Sequence, residues 1–397
     1  MYSHRILFLV LLFMTNCTST TPPKLQRLDG SRITHTQLDQ RILHLMEEAS
    51  VTGLAITVLN GGEAVYQKAF GYANAENSDT LTVDHIIYGA SFTKAVFGYI
   101  VSRLVEQGKI DLDRPLQDYV DVSLPEIPVQ KDYLTLAPLR GDNRHQELTA
   151  RMCLNHTTGL PNWRWIEDDK QLKFLYDPGT RYNYSGEGMM ILQWVIEHMT
   201  DKKLDQLAEE MVFQPLNMSR TDYLWDPTTT LPYAYGHRAD QSSFAPDFFT
   251  EEAAAAGSMT TTLADYSRFA EHILALEARQ SPITERMFTP SVRIRSKKQF
   301  GPLSHQDTTA NDDIKLGYGM GWGLLTTPHG QGAFKEGHDV GFQHYSILFP
   351  GQQLGVILMT NSDNGESIFK YLLEVSIADT FTPWEWEHYL PYDQEEQ

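Results

Sequence analysis

The chain has 397 residues, of which 41% are hydrophobic and 21% are charged, the composition of a globular protein rather than a disordered one. Its 51 acidic residues outnumber its 32 lysines and arginines, and the formal net charge of -19 argues against nucleic acid as a partner. A chain of this length can form one large two-lobed unit or two domains.

The first 17 residues have the pattern of an export signal. The apolar stretch Ile6 to Met14 is too short to span a bilayer as a mature helix, but it has the size of a signal-peptide core. Met14 to Thr20 resembles the cleavage region of bacterial lipoproteins, which implies either acylation of Cys17 or simple cleavage nearby. We therefore predict export to the bacterial cell envelope or secretion, with attachment to a membrane if Cys17 carries a lipid, and a linker over 18–33.

The two cysteines predict neither a disulfide framework nor a metal site. Cys153 has no partner if Cys17 is removed or acylated, and we interpret it as a small buried apolar side chain. The histidines show no His-Glu-x-x-His pattern, and two cysteines cannot form a thiolate zinc site. No metal or other cofactor is predicted.

Periodic patterns place strands at both ends of the chain. Thr34 to Ser50 repeats apolar residues at helical spacing, with Thr36 or a neighbouring polar residue as the N-cap. Two β-rich runs flank the turn signal Asn60-Gly61-Gly62, two more flank Pro350-Gly351, and a helix over 365–381 closes the chain.

The middle of the chain, from about residue 90 to 275, is mostly helix and loop, and Val129 to Glu147 has the composition of a surface loop. The predicted fold class is therefore α+β. An antiparallel sheet is built from the N- and C-terminal strands and flanked by helices, with an inserted, mainly helical lobe. A cleft should lie where the sheet meets the lobe.

The stretch YGASFTKAVFGY, residues 88–99, holds Ser91 three positions before Lys94 at the start of a predicted helix. This spacing puts both side chains on one helix face, where a buried lysine has a lowered pKa and can accept the serine proton. Ser367 and Lys370 share the spacing, so the pattern alone is weak. Only Ser91 opens a helix after small residues, where unpaired N–H groups could hold an oxyanion, and an ordinary helix cap with a solvated lysine stays the alternative.

The region around Ser91 resembles the nucleophile segment of the penicillin-recognising serine hydrolases, in the class C β-lactamase-like branch that also includes esterases and D-aminopeptidases. The resemblance continues in Leu148 to Trp163, which is similar to the family's His-x-Ser-Gly-Leu segment with Thr158 in place of serine. Further matching segments follow in family order at 177–197, 214–223, 255–269 and 316–324. The resemblance implies a single β-lactamase/transpeptidase-like serine hydrolase domain over 34–390.

The resemblance also implies roles for three residues. Ser91 would be the acylated nucleophile and Lys94 its proton partner, while Tyr184 matches the tyrosine of the Tyr-x-Asn motif, a general base or proton relay. Tyr182 is the alternative if the register differs. A tyrosine close to ammonium groups should have a lowered pKa.

Two positions depart from the family pattern. Gly186 stands where the motif has asparagine, so an amide that would bind the substrate is missing. We assign the third motif, usually Lys-Thr-Gly or His-x-Gly, to His338, with Val340 in place of the expected glycine and Gly341 taking over its position. The resemblance then implies an oxyanion hole from the backbone N–H groups of Ser91 and Gly341.

Two histidines have less demanding interpretations. His338 could also be a solvated histidine at a strand end, and His156 is expected to support a loop rather than to touch substrate.

The sequence thus predicts an exported serine hydrolase that cleaves a carboxylic ester or a small amide through a covalent acyl-enzyme. The missing amide and the altered third motif argue against efficient cleavage of β-lactams. A D-amino-acid peptidase or penicillin-binding protein acting on cell-wall peptides, a weak β-lactamase, and a non-catalytic scaffold that keeps the fold are the alternatives.

Overall fold

The computed structural model describes residues 23–128 and 135–394. The predicted export signal and Cys17 lie outside the described residues, as do residues 18–22 of the predicted linker and 129–134 of the predicted loop. Within the described ranges, no helix is long and apolar enough to cross a membrane.

The helices and strands follow the chain from end to end. The α-helices are α1 (His35–Glu48), α2 (Phe92–Glu106), α3 (Ala150–Leu154), α4 (Gly186–Thr200), α5 (Leu204–Ala208), α6 (Leu263–Ala278), α7 (Pro282–Phe288), α8 (Phe369–Ile377) and α9 (Trp384–Glu387). The strands are β1 (Lys24–Gln26), β2 (Arg32–Thr34), β3 (Gly53–Asn60), β4 (Glu63–Asn74), β5 (Asp79–Thr80), β6 (Ile87–Tyr88), β7 (Gly236–His237), β8 (Ser243–Phe244), β9 (Thr260–Thr261), β10 (Val292–Arg293), β11 (Gly317–Tyr318), β12 (Gly323–Thr327), β13 (Gly330–Asp339), β14 (Phe342–Phe349) and β15 (Leu354–Thr360). A π-helical turn, Glu209–Phe213, continues α5. Short 3-10 turns lie at Leu116–Tyr119, Leu124–Glu126, Ala137–Leu139, Asn143–Glu147, Arg164–Ile166, Pro302–His305, Pro350–Gln352 and Gly365–Ile368.

Strands from both ends of the chain form the main sheet. It has nine strands in the order β10-β11-β12-β13-β14-β15-β3-β4-β5. C-terminal β15 pairs antiparallel with N-terminal β3, with Leu358 opposite Ile56. The predicted α+β class and the antiparallel sheet built from both termini are therefore confirmed.

Helices cover both faces of this sheet. Along β3, Leu54, Ile56 and Val58 pack in one core with α1 and α8, whereas Ala55 and Leu59 pack in a second core with α2 and α6. Successive side chains of a strand point to opposite faces, so a strand covered on both sides reads as a continuous apolar run.

The predicted hairpins form where the turn signals indicate. Gly61 and Gly62 join β3 to β4 with φ angles of +63° and +81°, the left-handed pair that a tight hairpin turn requires. Pro350–Gln352 joins β14 to β15. The predicted first helix is also present, but Thr34 rather than Thr36 caps it, through a capping box with Gln37.

The structure differs from the predicted linker over residues 23–33. The strands β1 and β2 pair there as a hairpin, and Leu25, Leu28 and Ile33 are buried. The Leu28 N–H donates to the carbonyl of Ile377 at 2.9 Å, which ties the hairpin to the end of α8. This part of the linker is folded because its apolar residues complete the core beneath α1 and α8.

The middle of the chain carries the remaining helices. From α2 to α5 its described residues form helices and loops, and between α5 and α6 it contributes only the short strands β7 and β8, which pair with each other, and β9, which pairs with β6. The last helix of the predicted lobe, α6, packs on β3 and β4 and so belongs to the layer that covers the sheet. Cys153 is fully buried, as predicted, and burial raises the pKa of its thiol.

Candidate active site

Ser91 lies in a sharp turn between β6 and α2. The preceding residue, Ala90, has φ +44°, a left-handed conformation that is uncommon outside glycine. Ser91 occupies the N-cap position of α2, yet its hydroxyl caps no backbone N–H. Instead Ser91 Oγ accepts a hydrogen bond from Lys94 Nζ at 2.9 Å. The ordinary helix cap with a solvated lysine does not describe this geometry.

Lys94 is buried, with only 2% of its surface exposed. Its ammonium also donates to the carbonyl of Ala256. Burial, followed by the charge of nearby Lys335, lowers the pKa of Lys94 well below the ordinary lysine value, and Glu336 opposes this only in part. A neutral amine at 2.9 Å from a serine hydroxyl can take its proton.

The second Ser-x-x-Lys pattern forms no such pair. Ser367 Oγ donates to the carbonyl of Asn364 at 2.6 Å, and Lys370 Nζ lies over the ring of Trp384 at 4.5 Å. Ser367 falls in a 3-10 turn that ends before α8 begins, so the sequence spacing does not become one turn of an α-helix.

Tyr184, just before α4, lies close to two buried lysines. Lys94 Nζ and Lys335 Nζ are 4.9 and 5.3 Å from its ring centroid, and Lys335 Nζ is 3.3 Å from its hydroxyl. The predicted lowering of its pKa is wrong. Burial, followed by the charge of Glu336, raises the pKa of Tyr184 well above its ordinary value, although a hydrogen bond with Ser91 acts in the opposite direction. Tyr184 therefore keeps its phenolic proton in the substrate-free protein.

Tyr182, the alternative to Tyr184, packs against other aromatic residues. Its ring lies 5.5 Å from that of Tyr318 and 6.1 Å from that of Trp386. The structure therefore brings Tyr184, and not Tyr182, to the two lysines.

His156 holds the Tyr184 segment in place. Its ring stacks on Tyr184 with centroids 4.2 Å apart, its Nδ1 accepts the N–H of Ser185 at 3.1 Å, and its carbonyl accepts the N–H of Asn183 at 2.7 Å. Burial, followed by the charges of the two lysines, lowers the pKa of His156 well below its ordinary value, so the imidazole is neutral. His156 therefore supports the segment that carries Tyr184.

A buried ion pair, which the sequence analysis missed, joins the same two segments. Glu187, in the first turn of α4, accepts from the Arg164 backbone N–H at 3.0 Å and from two of its guanidinium nitrogens at 2.8 Å each. Both side chains are buried. The Glu187 N–H in turn donates to the carbonyl of Asn162 at 3.1 Å.

The strand β13 brings a second ion pair to Tyr184. Lys335 is fully buried, and its Nζ lies 3.0 Å from Glu336 Oε1, which also accepts from Gln299 Nε2 at 2.7 Å. Burial lowers the pKa of Lys335 although Glu336 attracts its proton. Burial alone would raise the pKa of Glu336, but the charge of Lys335 and the hydrogen bonds from Gln299 and Lys335 outweigh it and hold the pKa below its ordinary value.

The structure does not bring the side chain of His338, or Gly341, to this cluster. The His338 side chain is exposed, and its Nδ1 lies 2.6 Å from Glu366 Oε1. Gly341 lies in the turn after β13, and its N–H donates to Asp363. Val340 is exposed in the same turn.

The residue of β13 that contacts the Tyr184 hydroxyl is Lys335, three residues before His338. Gly337 supplies the close approach that the sequence analysis placed near residue 341, since a Cβ there would lie 2.9 Å from the Gly89 carbonyl. The sequence held the signal for this register: Lys335-Glu336-Gly337 fits a Lys-x-Gly motif.

At Gly186, an aromatic ring fills the place of a side chain. A Cβ at Gly186 would lie 2.6 Å from Trp163 Cζ2, so an asparagine could not fit without displacing the indole. The Gly186 N–H donates to Asn162 Oδ1 at 3.1 Å. Trp163 stacks on Trp165 with ring centroids 4.7 Å apart and an interplanar angle of 11°.

Comparisons with known proteins identify the family of the chain and relatives that share its fold. A family model described as beta-lactamase matches residues 38–376. Among curated proteins, the chain is similar to the D-alanyl-D-alanine-carboxypeptidase/endopeptidase AmpH of Escherichia coli (strain K12), with 23% identity over 331 residues, 81% of this chain and 82% of AmpH. It is also similar to protein flp of Staphylococcus aureus, with 20% identity over 82% of this chain and 62% of flp.

Two solved structures share the fold. The octameric penicillin-binding protein homologue from Pyrococcus abyssi aligns with a TM-score of 0.67 at 20% identity, over 86% of this chain and 76% of its own. The D-alanine carboxypeptidase AmpC from Burkholderia cenocepacia aligns with a TM-score of 0.66 at 19% identity, over 86% of this chain and 98% of its own.

The Arg164–Glu187 pair predicts a large effect on stability. Glu187→Gln removes one partner and leaves a buried guanidinium charge, so we expect the free energy of unfolding to fall by about 3–5 kcal/mol. Denaturant unfolding followed by circular dichroism measures it. Glu126→Gln breaks an exposed pair with Arg140 and is the matched control, for which solvent screening predicts little change. Equal effects of the two substitutions would contradict a stabilising role of the buried pair.

Proposed function

Because the chain belongs to the beta-lactamase family, we propose that it is a serine hydrolase in which Ser91, Lys94 and Tyr184 cleave a carboxylic ester or a small amide through a covalent acyl-enzyme. One observation carries the proposal: the buried Lys94 Nζ lies 2.9 Å from Ser91 Oγ in the turn that opens α2. A serine hydroxyl becomes a strong nucleophile only when an adjacent base takes its proton, and the short distance and the burial of this lysine support that role.

In the acylation step, neutral Lys94 takes the proton of Ser91 while Ser91 Oγ bonds to the substrate carbonyl carbon. The carbonyl oxygen then carries a negative charge in the tetrahedral intermediate, and backbone N–H groups that already point at it stabilise that charge. The N–H of Ser91, at the start of α2, is one such donor.

The second donor we propose is the backbone N–H of His338 rather than that of Gly341. The Gly341 N–H already donates to Asp363. His338 pairs with Gln343 on β14, and the Gln343 carbonyl accepts from Thr360 Oγ1 at 2.9 Å and so faces β15. In an antiparallel ladder such a pair is not hydrogen-bonded, which directs the His338 N–H away from β14. On that side, the pairing of β12 with β13 ends at Phe334 and leaves the edge of β13 open toward the site.

Tyr184 delivers a proton to the leaving group. Its raised pKa keeps the phenol protonated until the leaving alkoxide or amine develops charge, and the ammonium groups of Lys94 and Lys335 stabilise the phenolate that forms. Lys94 then passes the proton that it took from Ser91 to the Tyr184 phenolate, which restores a neutral lysine and a protonated tyrosine. Water attacks the acyl-enzyme by the reverse sequence, which releases the acid and restores Ser91.

Trp163 fills the space beside Gly186, so no side-chain amide is present there to bind a substrate. This supports a substrate that needs fewer specific hydrogen bonds than a β-lactam. A D-alanyl peptidase is the second candidate, since AmpH, which matches over 81% of this chain, is named a carboxypeptidase and endopeptidase. A non-catalytic scaffold is disfavoured, because burying a lysine beside a serine costs stability and serves no purpose without chemistry. Export to the envelope, with or without acylation of Cys17, stays a prediction from residues that the structure does not describe.

The chain offers a matched test of the nucleophile. We expect turnover of p-nitrophenyl butyrate to fall by about 1000-fold or more in Ser91→Ala, because no other group can form the acyl-enzyme. Tyr184→Phe should lower kcat by about 100-fold through loss of proton transfer. Ser367→Ala, which alters the other Ser-x-x-Lys pattern, should retain wild-type turnover. Equal loss in Ser91→Ala and Ser367→Ala, or full activity in Ser91→Ala, would refute the assignment.

The pH profile tests Lys94 as the base. Only the neutral amine accepts a proton, so kcat/KM for an uncharged ester should be high above the pKa of Lys94 and fall about tenfold per pH unit below it. Because burial and Lys335 lower that pKa, the acid limb should lie well below pH 10.5, the ordinary lysine value. Steady-state kinetics across the pH range measure this limb. A limb at the ordinary lysine pKa would contradict the role of burial.

A further inference from the structure

The charges beside Ser91 are already balanced inside the protein. Lys335 and Glu336 are adjacent on β13, are buried, and lie 3.0 Å apart from Nζ to Oε1. They contribute one positive and one negative charge. Lys94 contributes none in its neutral form, which burial and the nearby Lys335 both favour. With Lys94 neutral, these three side chains together carry no net charge.

A substrate carboxylate would disturb this balance. It would have to leave water and approach Lys335, whose charge Glu336 already compensates at hydrogen-bond distance. A second carboxylate at the same ammonium repels the first, and a buried like-charge pair is strongly unfavourable. The formal net charge of -19 on the whole chain adds to this repulsion at low ionic strength.

Partly exposed aromatic rings lie against Tyr184 and on the segment that packs against Gly186. Trp163 fills the space beside Gly186, and Trp165, stacked on it, is 45% exposed. Phe300 is 47% exposed and packs edge-on against Tyr184 with ring centroids 5.2 Å apart. Exposed aromatic rings beside a reactive group offer contact area to an apolar or aromatic substrate group.

We propose that the Lys335–Glu336 pair and the aromatic residues Trp163, Trp165 and Phe300 select substrates that carry no carboxylate next to the scissile bond and that present an aromatic or long apolar group. The inference rests on the proposed function and narrows its substrate class to uncharged esters or amides. It disfavours peptides that end in a free carboxylate at the cleaved residue.

The test compares two esters that differ only in charge. The meta-carboxyphenyl ester of phenylacetic acid carries a carboxylate on its leaving group, and the meta-(methoxycarbonyl)phenyl ester has it capped with methyl. We expect wild-type kcat/KM to be about tenfold or more higher for the capped ester, from like-charge repulsion by Glu336. Glu336→Gln should reduce this ratio about tenfold, since it removes the carboxylate that lies at hydrogen-bond distance from Lys335. Asp339→Asn removes an exposed carboxylate from the same strand and should keep the wild-type ratio.

A second variant tests the aromatic surface and does not depend on the folding of Glu336→Gln. Trp165→Ala removes an exposed ring and should lower kcat/KM for p-nitrophenyl phenylacetate relative to p-nitrophenyl acetate by about threefold to tenfold. An unchanged ratio would overturn the role of the aromatic residues.

The results distinguish a failure of the proposed substrate selectivity from a failure of the proposed serine hydrolase function. If the wild type has an equal or higher kcat/KM for the carboxylate ester than for the capped ester, the selectivity is overturned. Loss of turnover in Ser91→Ala would then leave the proposed function intact. An unchanged ester ratio in a folded Glu336→Gln variant would likewise overturn the selectivity. Turnover of both esters that survives Ser91→Ala would refute the proposed function and the selectivity with it.

Discussion

The structure depends on the burial of two lysines against one tyrosine. The Nζ atoms of Lys94 and Lys335 lie 4.9 and 5.3 Å from the Tyr184 ring centroid, and both lysines are buried. Burying a lysine is unfavourable unless its charge is compensated or lost. Here the two solutions differ: Lys335 pairs with Glu336, while Lys94 donates to Ser91 Oγ and its neutral form is favoured. The unequal environments make one lysine a base and the other a fixed positive charge.

The fold brings these groups together from three distant parts of the chain. Ser91 lies in the turn before α2, and Lys94 lies in the first turn of that helix. Tyr184 lies two residues before α4 begins, and Lys335 lies on β13. β13 belongs to the sheet that both termini build, so the sheet fixes its position against α2. The Tyr184 segment has no strand to hold it, and the stacked His156 and the buried ion pair of α4 do so instead. Side chains far apart in sequence are thereby held within hydrogen-bond distance.

Local patterns predicted much of this arrangement. Turn chemistry at Gly61 and Gly62, helical periodicity in α1 and ordered motif matches led to the correct fold class and to a Ser91–Lys94–Tyr184 grouping. What failed depended on long-range contacts. The third motif is predicted at His338 because a histidine fits one form of the motif, although Lys335-Glu336-Gly337 fits the other form. The long-range contact of Lys335 Nζ with the Tyr184 hydroxyl decides between the two registers. The pKa of Tyr184 was assigned the wrong direction because proximity to cations was weighed without burial, and burial is a property of the packed core.

Mapping of a covalent adduct tests the central claim most directly. The protein is treated with a fluorophosphonate probe, digested, and analysed by tandem mass spectrometry to locate the modified residue. The account predicts a single adduct on Ser91, formed faster as the pH rises through the lowered pKa of Lys94. An adduct on another serine, or ester turnover by a protein that forms no adduct on Ser91, would contradict it.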